Sequence, residues 1–207
     1  MPHSALSLQA AFKYLFIEEV QALKELARSL PDNPNVLNIG SGSGTSSLAF
    51  VESRPDLFLF CVDIEDKNSP LGGLFGERQV LNEAGFETRY AQICADSVSL
   101  GGEWRDLFRL VYLDLVFVDG DHTYEGAKGD ILAWLPNIKP GGVIAVHDFE
   151  KERVYAGTAP DDAPHPLPWP GVDKAVNELL VPNFEIVAHV KTLIAFRVTD
   201  EGRGRMK

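Results

Sequence analysis

The sequence is short of cysteine, of long apolar runs and of positive charge, and each shortage excludes a class of protein. Only Cys61 and Cys94 occur among 207 residues. Each lies in an apolar run typical of a strand, so we expect two buried, reduced thiols rather than a disulfide or a zinc site. No window approaches the roughly 20 apolar residues of a membrane span, and no basic stretch followed by an apolar run opens the chain. These absences predict a cytoplasmic protein that has no membrane partner.

A net charge of −11 disfavours nucleic acid as a partner, because polyanions are repelled.

The length and mixed composition are those of one globular domain. We expect a single domain over residues 1–207, with an N-terminal helix in residues 1–31 and a proline-rich loop or lid in residues 151–171. Apolar residues recur at helical spacing up to Leu30, and Pro31 prevents the helix from continuing. The pattern does not indicate whether the chain forms a homo-oligomer.

Seven apolar runs predict an α/β fold. Five of them alternate with segments long enough for a helix, and they are Val36–Ile39, Leu57–Val62, Tyr90–Cys94, Leu113–Val118 and Val143–Val146. This alternation is typical of a parallel, Rossmann-like sheet with helices on both faces. The last two runs, 184–190 and 193–198, are separated only by Lys191 and Thr192, which favours a hairpin and an antiparallel final strand.

A glycine-rich turn follows the first predicted strand, in the sequence Gly40-Ser41-Gly42-Ser43-Gly44. Such glycines allow the backbone to turn tightly and to approach a ligand closely. The spacing lacks the last glycine of the dinucleotide fingerprint, and no P-loop lysine follows. The second strand ends at Asp63, where a carboxylate can accept hydrogen bonds from ribose hydroxyls.

Further acids and imidazoles follow the next three strands, at the edge where open α/β folds bind ligands. They are Asp96 with Ser97, then Asp119, Asp121 and His122, then His147 and Asp148. Carboxylates suit Mg²⁺, Ca²⁺ or Mn²⁺, and imidazoles add manganese, iron, zinc or cobalt to the candidate metals. A histidine or an aspartate here can also act as a general base. Helix capping is the alternative interpretation for the acids, Asp96 included.

Together these motifs resemble class I S-adenosylmethionine (SAM)-dependent methyltransferases, and within them the small-molecule O-methyltransferase-like, type-24 group. The resemblance rests on the glycine turn, Asp63, Ala95-Asp96-Ser97, Phe117–Tyr124, Pro140-Gly141-Gly142, His147-Asp148-Phe149, Pro170–Val176 and the terminal hairpin. It implies the seven-stranded methyltransferase sheet. The cofactor-binding residues that it implies are Gly40, Ser41, Gly42 and Gly44 at the methionine part, Asp63 at the ribose, Asp96 with Ser97 at the adenine, and also Ile64 and Asp119.

The same resemblance implies a divalent-metal site at Asp119, His147 and Asp148, with His122 or Asp121 as the base. The chain departs from the group at Asn38, where an acid is common, at His147, where metal-binding relatives carry Asp, and at His122, where catechol-type relatives use Lys.

The function that follows is O-methylation of a small-molecule hydroxyl by SAM, with or without a Mg²⁺ or Mn²⁺ ion. The alternatives are a catalytically silent protein that binds SAM or S-adenosylhomocysteine (SAH), a nicotinamide-dependent oxidoreductase and a metal-dependent hydrolase. His165 and Trp169 of the proline-rich loop, with the N-terminal helix that carries Tyr14, are expected to form the acceptor pocket, whereas Tyr14 and Trp134 themselves are expected to pack in the core.

Overall fold

A computed structural model describes residues 15–64, 73–109, 111–151, 154 and 169–206 of the chain. Its strands are β1 (Asn35–Ile39), β2 (Phe58–Asp63), β3 (Tyr90–Cys94), β4 (Leu113–Val118), β5 (Ile138–Val146), β6 (Glu185–Val190) and β7 (Leu193–Arg197). They form one seven-stranded sheet in the order β3-β2-β1-β4-β5-β7-β6. The predicted Rossmann-like sheet is therefore confirmed.

Strands β1 to β5 are parallel to their neighbours, whereas β7 runs antiparallel to both β5 and β6. The last two strands form the predicted hairpin, in which Val190 pairs with Leu193 across a two-residue turn. Lys191 has a φ of 54°, in the left-handed region that two-residue hairpin turns require. Both the parallel core and its antiparallel ending thus follow the sequence pattern.

Helices cover both faces of the sheet. They are α1 (Ile17–Arg28), α2 (Thr45–Ser53), α3 (Gly73–Glu83), α4 (Ser97–Leu107), α5 (Tyr124–Trp134), α6 (Pro170–Leu179) and α7 (Asp200–Arg205), with a 3₁₀ turn at Leu135–Asn137. Three of these helices start after a residue whose side chain caps the first turn. Asp96 caps α4, Thr123 caps α5 and Thr199 caps α7, each by accepting a backbone N–H of the first turn.

Two hydrophobic cores lie on opposite faces of the sheet, because successive strand side chains point to opposite sides. One core includes Trp104 of α4 and Trp134 of α5, together with Leu37 of β1. The other includes Leu23 of α1 and Phe50 of α2. Trp134 is fully buried, so its predicted role in the core is confirmed.

The cysteine prediction is half wrong. Cys61 in β2 is buried and Cys94 at the end of β3 is exposed, and both are free thiols. The apolar run around Cys94 indicated a strand correctly, but β3 lies at the edge of the sheet. An edge strand is only partly covered, and local sequence does not reveal which strand takes that place.

Two predicted boundaries also differ from the structure. β5 begins at Ile138 rather than Val143, because the Pro-Gly-Gly segment is included in the strand, next to a register irregularity with β4. Helix α1 starts at Ile17 within the predicted N-terminal helix. The residues of that helix before position 15, Tyr14 included, and the proline-rich segment 155–168 lie outside the described residues.

Candidate active site

The glycine turn connects β1 to α2 and is held by its neighbours on both sides. Gly40, Gly42 and Gly44 all have positive φ angles, of 88°, 48° and 79°. A Cβ on Gly40 would lie 2.0 Å from the carbonyl oxygen of Asp119, so no other residue fits at this position without moving the backbone. The turn that begins after β1 is therefore packed directly on the residue that ends β4.

Asp63 at the end of β2 lies beside this turn. Its Oδ2 accepts a hydrogen bond from the backbone N–H of Ser41 at 2.8 Å, and the N–H of Gly40 donates to the carbonyl of Val62 at 2.9 Å. Ile64, the next residue, is 63% exposed. A carboxylate and an apolar surface thus stand side by side at the edge of the sheet.

The start of α4 presents Asp96 and Ser97. Asp96 caps the helix by accepting the N–H of Ser99 at 2.8 Å, as the capping interpretation predicts. Ser97 donates its hydroxyl hydrogen to Asp130, a buried residue of α5. Burial raises the pKa of Asp130 to about 6, against the effect of the Ser97 hydrogen bond and aided by the negative charges of Asp96 and Asp121.

Asp119, His122 and Asp148 form a cluster where β4 and β5 end. The Nε2 atom of His122 lies 3.0 Å from Oδ2 of Asp148 and 3.5 Å from Oδ1 of Asp119. One potential ligand atom from each of the three side chains lies within 4.8 Å of the others. Adjacent parallel strands bring these residues together, as the sequence pattern predicts.

Asp148 has unusual local geometry within this cluster. Its φ of 63° lies in the left-handed region, which aspartate tolerates better than most residues. Its carboxylate is buried and lies 2.8 Å from the ammonium of Lys151. The Asp148 Oδ1 atom and the His122 Nε2 atom are both buried without a hydrogen bond of normal geometry, even though charged groups lie close to them.

His147 contacts the same two carboxylates as His122, with its Nδ1 atom 3.6 Å from Oδ1 of Asp148. Its Nδ1 lies 3.2 Å from Oδ1 of Asp119, and its Nε2 lies 3.2 Å from both Oε2 of Glu19 and the hydroxyl of Thr192. The ring is buried, and both of its nitrogens are engaged. Both histidines therefore adjoin Asp119 and Asp148; His122 belongs to the group of three whose ligand atoms lie within 4.8 Å of one another, and a metal-ligand role for His147 stays a prediction.

The electrostatics of the cluster favour charged side chains. Burial opposes the charge on His122, but Asp119 and Asp148 outweigh it and raise the pKa of His122 to about 9. Burial likewise opposes a charge on His147, whose pKa is raised well above its ordinary value by Asp119, Asp148 and Glu19. The pKa values of Asp119 and Asp148 are lowered despite their burial, chiefly by the charge of His147. At neutral pH the cluster thus consists of opposed charges in contact.

Asp121 stands apart from these contacts. Its two carboxylate oxygens accept the backbone N–H and the hydroxyl of Thr123, each at 2.9 Å, and the side chain is exposed at the start of α5. The geometry is that of a local turn in which aspartate bonds the backbone two residues on. Its role as a base stays a prediction.

Trp169 packs on His122 from the start of α6. The indole and imidazole rings are stacked, with centroids 4.7 Å apart and an angle of 29° between their planes. A Cβ on Gly171 would lie 2.7 Å from the carbonyl oxygen of His122, so the helix start also touches the backbone of this loop. Trp169 therefore adjoins the site, as the predicted acceptor pocket requires, whereas His165 lies outside the described residues.

Two buried acids of the site were missed from the sequence. Glu19 of α1 accepts the N–H and the hydroxyl of Thr192 at 2.8 and 2.7 Å, and it contacts His147. Glu77 of α3 lies under the glycine turn and accepts the hydroxyl of Ser41 at 2.9 Å. Both acids sit on the apolar stripe of an amphipathic helix, and a charge at such a position was the available signal.

Among the described residues there is no helix with the length and apolarity of a membrane span. A sequence model of the type-24 methyltransferase domain matches residues 37–149, which includes the glycine turn and the cluster of Asp119, His122 and Asp148.

Several solved structures share the fold. The O-methyltransferase TomG from Streptomyces achromogenes, involved in tomaymycin synthesis and solved with SAM, is 22% identical; the match covers 96% of this chain and 91% of TomG, with a TM-score of 0.68. An O-methyltransferase from Bacillus cereus, solved with SAH, is 16% identical over 93% of this chain and 88% of that one, with a TM-score of 0.63. CalS11, a TDP-rhamnose 3′-O-methyltransferase of calicheamicin biosynthesis, is 15% identical over 88% and 78% of the two chains, with a TM-score of 0.59.

Proposed function

The chain belongs to the family of methyltransferase domains, and from that premise we propose that it transfers the methyl group of SAM to a hydroxyl of a small molecule. Gly40, Ser41, Gly42 and Gly44 line the methionine part of the cofactor in this proposal. Asp63, with Ile64 beside it, binds the ribose, and Asp96 and Ser97 lie at the adenine. The whole chain acts as one domain.

One observation carries the proposal: the contact between Gly40 and Asp119. The cofactor turn and the charged cluster are two parts of one surface, because a Cβ on Gly40 would overlap the carbonyl of Asp119. A methyl donor held on the turn therefore lies next to the side chains that can handle a proton. Alignment of two reactants in this way contributes about 7 to 11 kcal/mol to catalysis.

His122 is the proposed general base. The acceptor oxygen attacks the methyl carbon of SAM, the carbon–sulfur bond breaks with its electron pair moving to sulfur, and the hydroxyl proton passes to the imidazole of His122, at the nitrogen that does not face the two carboxylates. The base must be neutral to accept this proton, although its pKa in the free protein is raised to about 9. The positive charge of bound SAM lowers that pKa, because like charges disfavour each other. Asp121 is the weaker candidate, since Thr123 already occupies both of its oxygens.

Trp169 and the cluster define how the acceptor is held. The indole covers one face of His122 and so keeps the imidazole in a fixed plane. It also offers an apolar surface on which a flat or sugar-like acceptor can pack. We assign the acceptor pocket to the space beside Trp169, above the carboxyl ends of β4 and β5.

A divalent metal is a second candidate for the same three side chains. Ligands in adjacent positions around a small octahedral cation lie about 3 Å apart, which fits the 3.0 and 3.5 Å between His122 Nε2 and the two carboxylates. The buried His122 Nε2 and Asp148 Oδ1 atoms lack hydrogen bonds of normal geometry, which also fits. Asp119, His122 and Asp148 would then hold the ion, which would supply a positive charge that stabilises the acceptor oxyanion.

The acceptor class is suggested by the similar structures. TomG takes part in tomaymycin synthesis, and CalS11 methylates a TDP-rhamnose hydroxyl. We therefore propose sugar hydroxyls as acceptors to test, and the resemblance to catechol-type enzymes adds phenolic hydroxyls. Nucleic acid is a poor candidate because of the net charge of −11.

The proposal is tested by two measurements on the intact chain. Calorimetric titration with SAH measures cofactor binding, and incubation with SAM that carries an isotopically labelled methyl group measures transfer to a panel of catechols, flavonoids and nucleotide sugars. Binding and transfer support the proposal. Binding without transfer to any acceptor supports the silent SAM-binding alternative, and a folded protein that binds NADH but not SAH refutes the proposal.

A further inference from the structure

We infer that Glu77 of α3 is a positioning residue of the cofactor turn, and that its buried negative charge favours the cationic SAM over the neutral product SAH. The inference rests on the proposed function, since it assigns the methionine part of SAM to the glycine turn. It concerns a residue that lies behind that turn and does not touch the charged cluster of Asp119, His122 and Asp148.

The contacts of Glu77 join four elements of the fold. Its Oε2 accepts the hydroxyl of Ser41 in the turn at 2.9 Å and the amide of Gln92 in β3 at 2.7 Å. Its Oε1 accepts the hydroxyl of Ser47 in α2 at 2.5 Å. The side chain is fully buried, so water cannot replace these bonds. Burying a carboxylate costs several kcal/mol in general, and a fold keeps one only with such partners.

The groups that surround the Glu77 carboxylate favour its ionised form. The amide of Asn38 donates to the Ser47 hydroxyl at 2.7 Å, and the hydroxyl hydrogen of Ser47 can point at Glu77 Oε1, 2.5 Å away, or at the sulfur of Cys61, 3.7 Å away. Gln92 donates one amide hydrogen to the carbonyl of Leu74 and one to Glu77. Burial raises the pKa of Glu77, and its hydrogen bonds from Ser47, Gln92 and Ser41 act against that rise. Every group that bonds to the carboxylate can donate to it, and such donors favour its ionised form against the effect of burial.

Asn38 gives an independent reason for this assignment. It is fully buried at the end of β1, and its amide donates to the hydroxyls of Ser46 and Ser47. An acid at position 38 would place a second negative charge beside the Ser47 hydroxyl, which already contacts Glu77. Such paired buried carboxylates repel each other strongly, so an amide at 38 and a carboxylate at 77 form a compatible pair.

Ser41 links Glu77 to Asp63, the residue proposed to bind the ribose. Its hydroxyl is held by Glu77, while its backbone N–H donates to Asp63 at 2.8 Å. The helix also touches the turn directly, since a Cβ on Gly44 would lie 3.0 Å from Cα of Glu77. Removing the carboxylate would therefore loosen both the turn and the orientation of Asp63. Removing its charge would also take away an attraction for the sulfonium of SAM that SAH does not experience.

The test compares the affinities for SAM and SAH by calorimetric titration at about pH 8.5, because an alkaline pH favours the ionised form of a carboxyl whose pKa is raised. The variants are Glu77→Gln, which keeps the shape and removes the charge, and Ser41→Ala, which keeps the charge and removes the link to the turn. We expect Glu77→Gln to weaken SAM binding about tenfold and SAH binding about threefold. We expect Ser41→Ala to weaken both ligands by the same factor.

Glu83→Gln is the matched control, because Glu83 lies on the same helix, is exposed, and accepts a hydrogen bond from Gln79 of its own helix. It should bind both ligands as the wild type does. Equal losses for SAM and SAH in Glu77→Gln would refute the charge preference, and unchanged affinities would refute the whole inference. If circular dichroism shows that Glu77→Gln is unfolded, the Ser41→Ala variant provides the test. Unchanged affinities for SAM and SAH in Ser41→Ala would then refute the inference. A wild-type protein that binds neither ligand would instead refute the proposed function.

Discussion

Gly40 and Asp119 meet so closely that the Cβ of any other residue at position 40 would lie 2.0 Å from the Asp119 carbonyl oxygen. A backbone hydrogen bond from Asp119 N–H to the carbonyl of Ile39, 3.0 Å long, ties the same two segments together. The end of β1 and the end of β4 are therefore one rigid unit. The proposed methyl donor site and the proposed base lie on either side of this unit.

The first prediction concerns that contact. Gly40→Ala should destabilise the fold by about 3 kcal/mol or more, because strain at a positive φ is added to an overlap with backbone, and it should abolish SAH binding. Gly85→Ala is the matched control, since Gly85 has a φ of 85° with no atom within 4 Å of its added Cβ. It should cost only about 1 kcal/mol, from the φ strain alone. Denaturant unfolding and SAH titration measure both effects, and equal behaviour of the two variants would contradict the argument.

The second prediction concerns the effect of Asp63 on SAH affinity. Asp63→Ala removes the acceptor of the Ser41 N–H and the proposed acceptor of the ribose hydroxyls. Hydrogen bonds to charged groups contribute about 1.5 to 3 kcal/mol, so SAH affinity should fall about 10- to 100-fold in calorimetric titration. Asp106→Ala, on the exposed side of α4, serves as the control and should bind normally. Full affinity in Asp63→Ala would remove Asp63 from the cofactor site.

Much of the fold and the edge of the site could be predicted from the sequence, because the signals are local. Apolar runs of strand length indicated all seven strands, and the Lys191-Thr192 spacing indicated the hairpin. Parallel strands place their carboxyl ends at one edge, so the approach of His122 to Asp148 follows from topology alone. Asp96 illustrates the ambiguity of local signals, since the same residue type suits both a helix cap and a ligand.

The partners of the buried acids could not be predicted, because they come from distant parts of the chain. Glu19 contacts His147, which follows β5, and Thr192, which lies in the turn between β6 and β7; these residues are 128 and 173 positions further along the chain. Periodicity marks Glu19 as facing the core but does not say what it meets there. The exposure of Cys94 has the same origin, since the position of β3 at the sheet edge depends on strand order.

The third prediction is a pH dependence that follows from His122. The pKa of His122 is raised to about 9, so the neutral form that can accept a proton grows as the pH rises. The value of kcat/KM reports the free enzyme, and it should therefore increase with pH and reach half of its maximum near pH 9. His122→Gln should abolish this increase of kcat/KM with pH and lower kcat by about 100-fold or more. A flat profile between about pH 7 and 10 would exclude His122 as the base.

Removal of metal gives the fourth prediction and separates the two proposed roles of His122. Asp148 is already paired with Lys151 at 2.8 Å, and two imidazoles of raised pKa adjoin the same carboxylates. These cations neutralise the cluster, so we expect EDTA to leave the methyl-transfer rate unchanged within about twofold. A loss of activity that Mg²⁺ or Mn²⁺ restores would instead assign Asp119, His122 and Asp148 to a metal.

The fifth prediction is that Asp130→Asn stabilises the protein at neutral pH. Burial raises the pKa of Asp130 from 3.8 to about 6, so the folded state favours the protonated form. Below about pH 4 the group is neutral in both states and imposes no penalty. Between about pH 4 and 6 the unfolded state ionises while the folded state stays protonated, so the folded state loses stability relative to the unfolded state, by about 3 kcal/mol when the shift is converted.

Asparagine keeps the shape of Asp130 without that penalty, so the advantage of the variant should be small at about pH 4 and grow toward pH 7.5. Urea unfolding at the two pH values measures it, with exposed Asp106→Asn as the control that should show no such change. An advantage that does not grow with pH would contradict the burial argument. The Ser97 hydroxyl donates to Asp130, and an amide oxygen is a weaker acceptor than a carboxylate. The stabilised variant should therefore bind SAH more weakly if Ser97 lies at the adenine, and unchanged binding would separate Ser97 from the cofactor site.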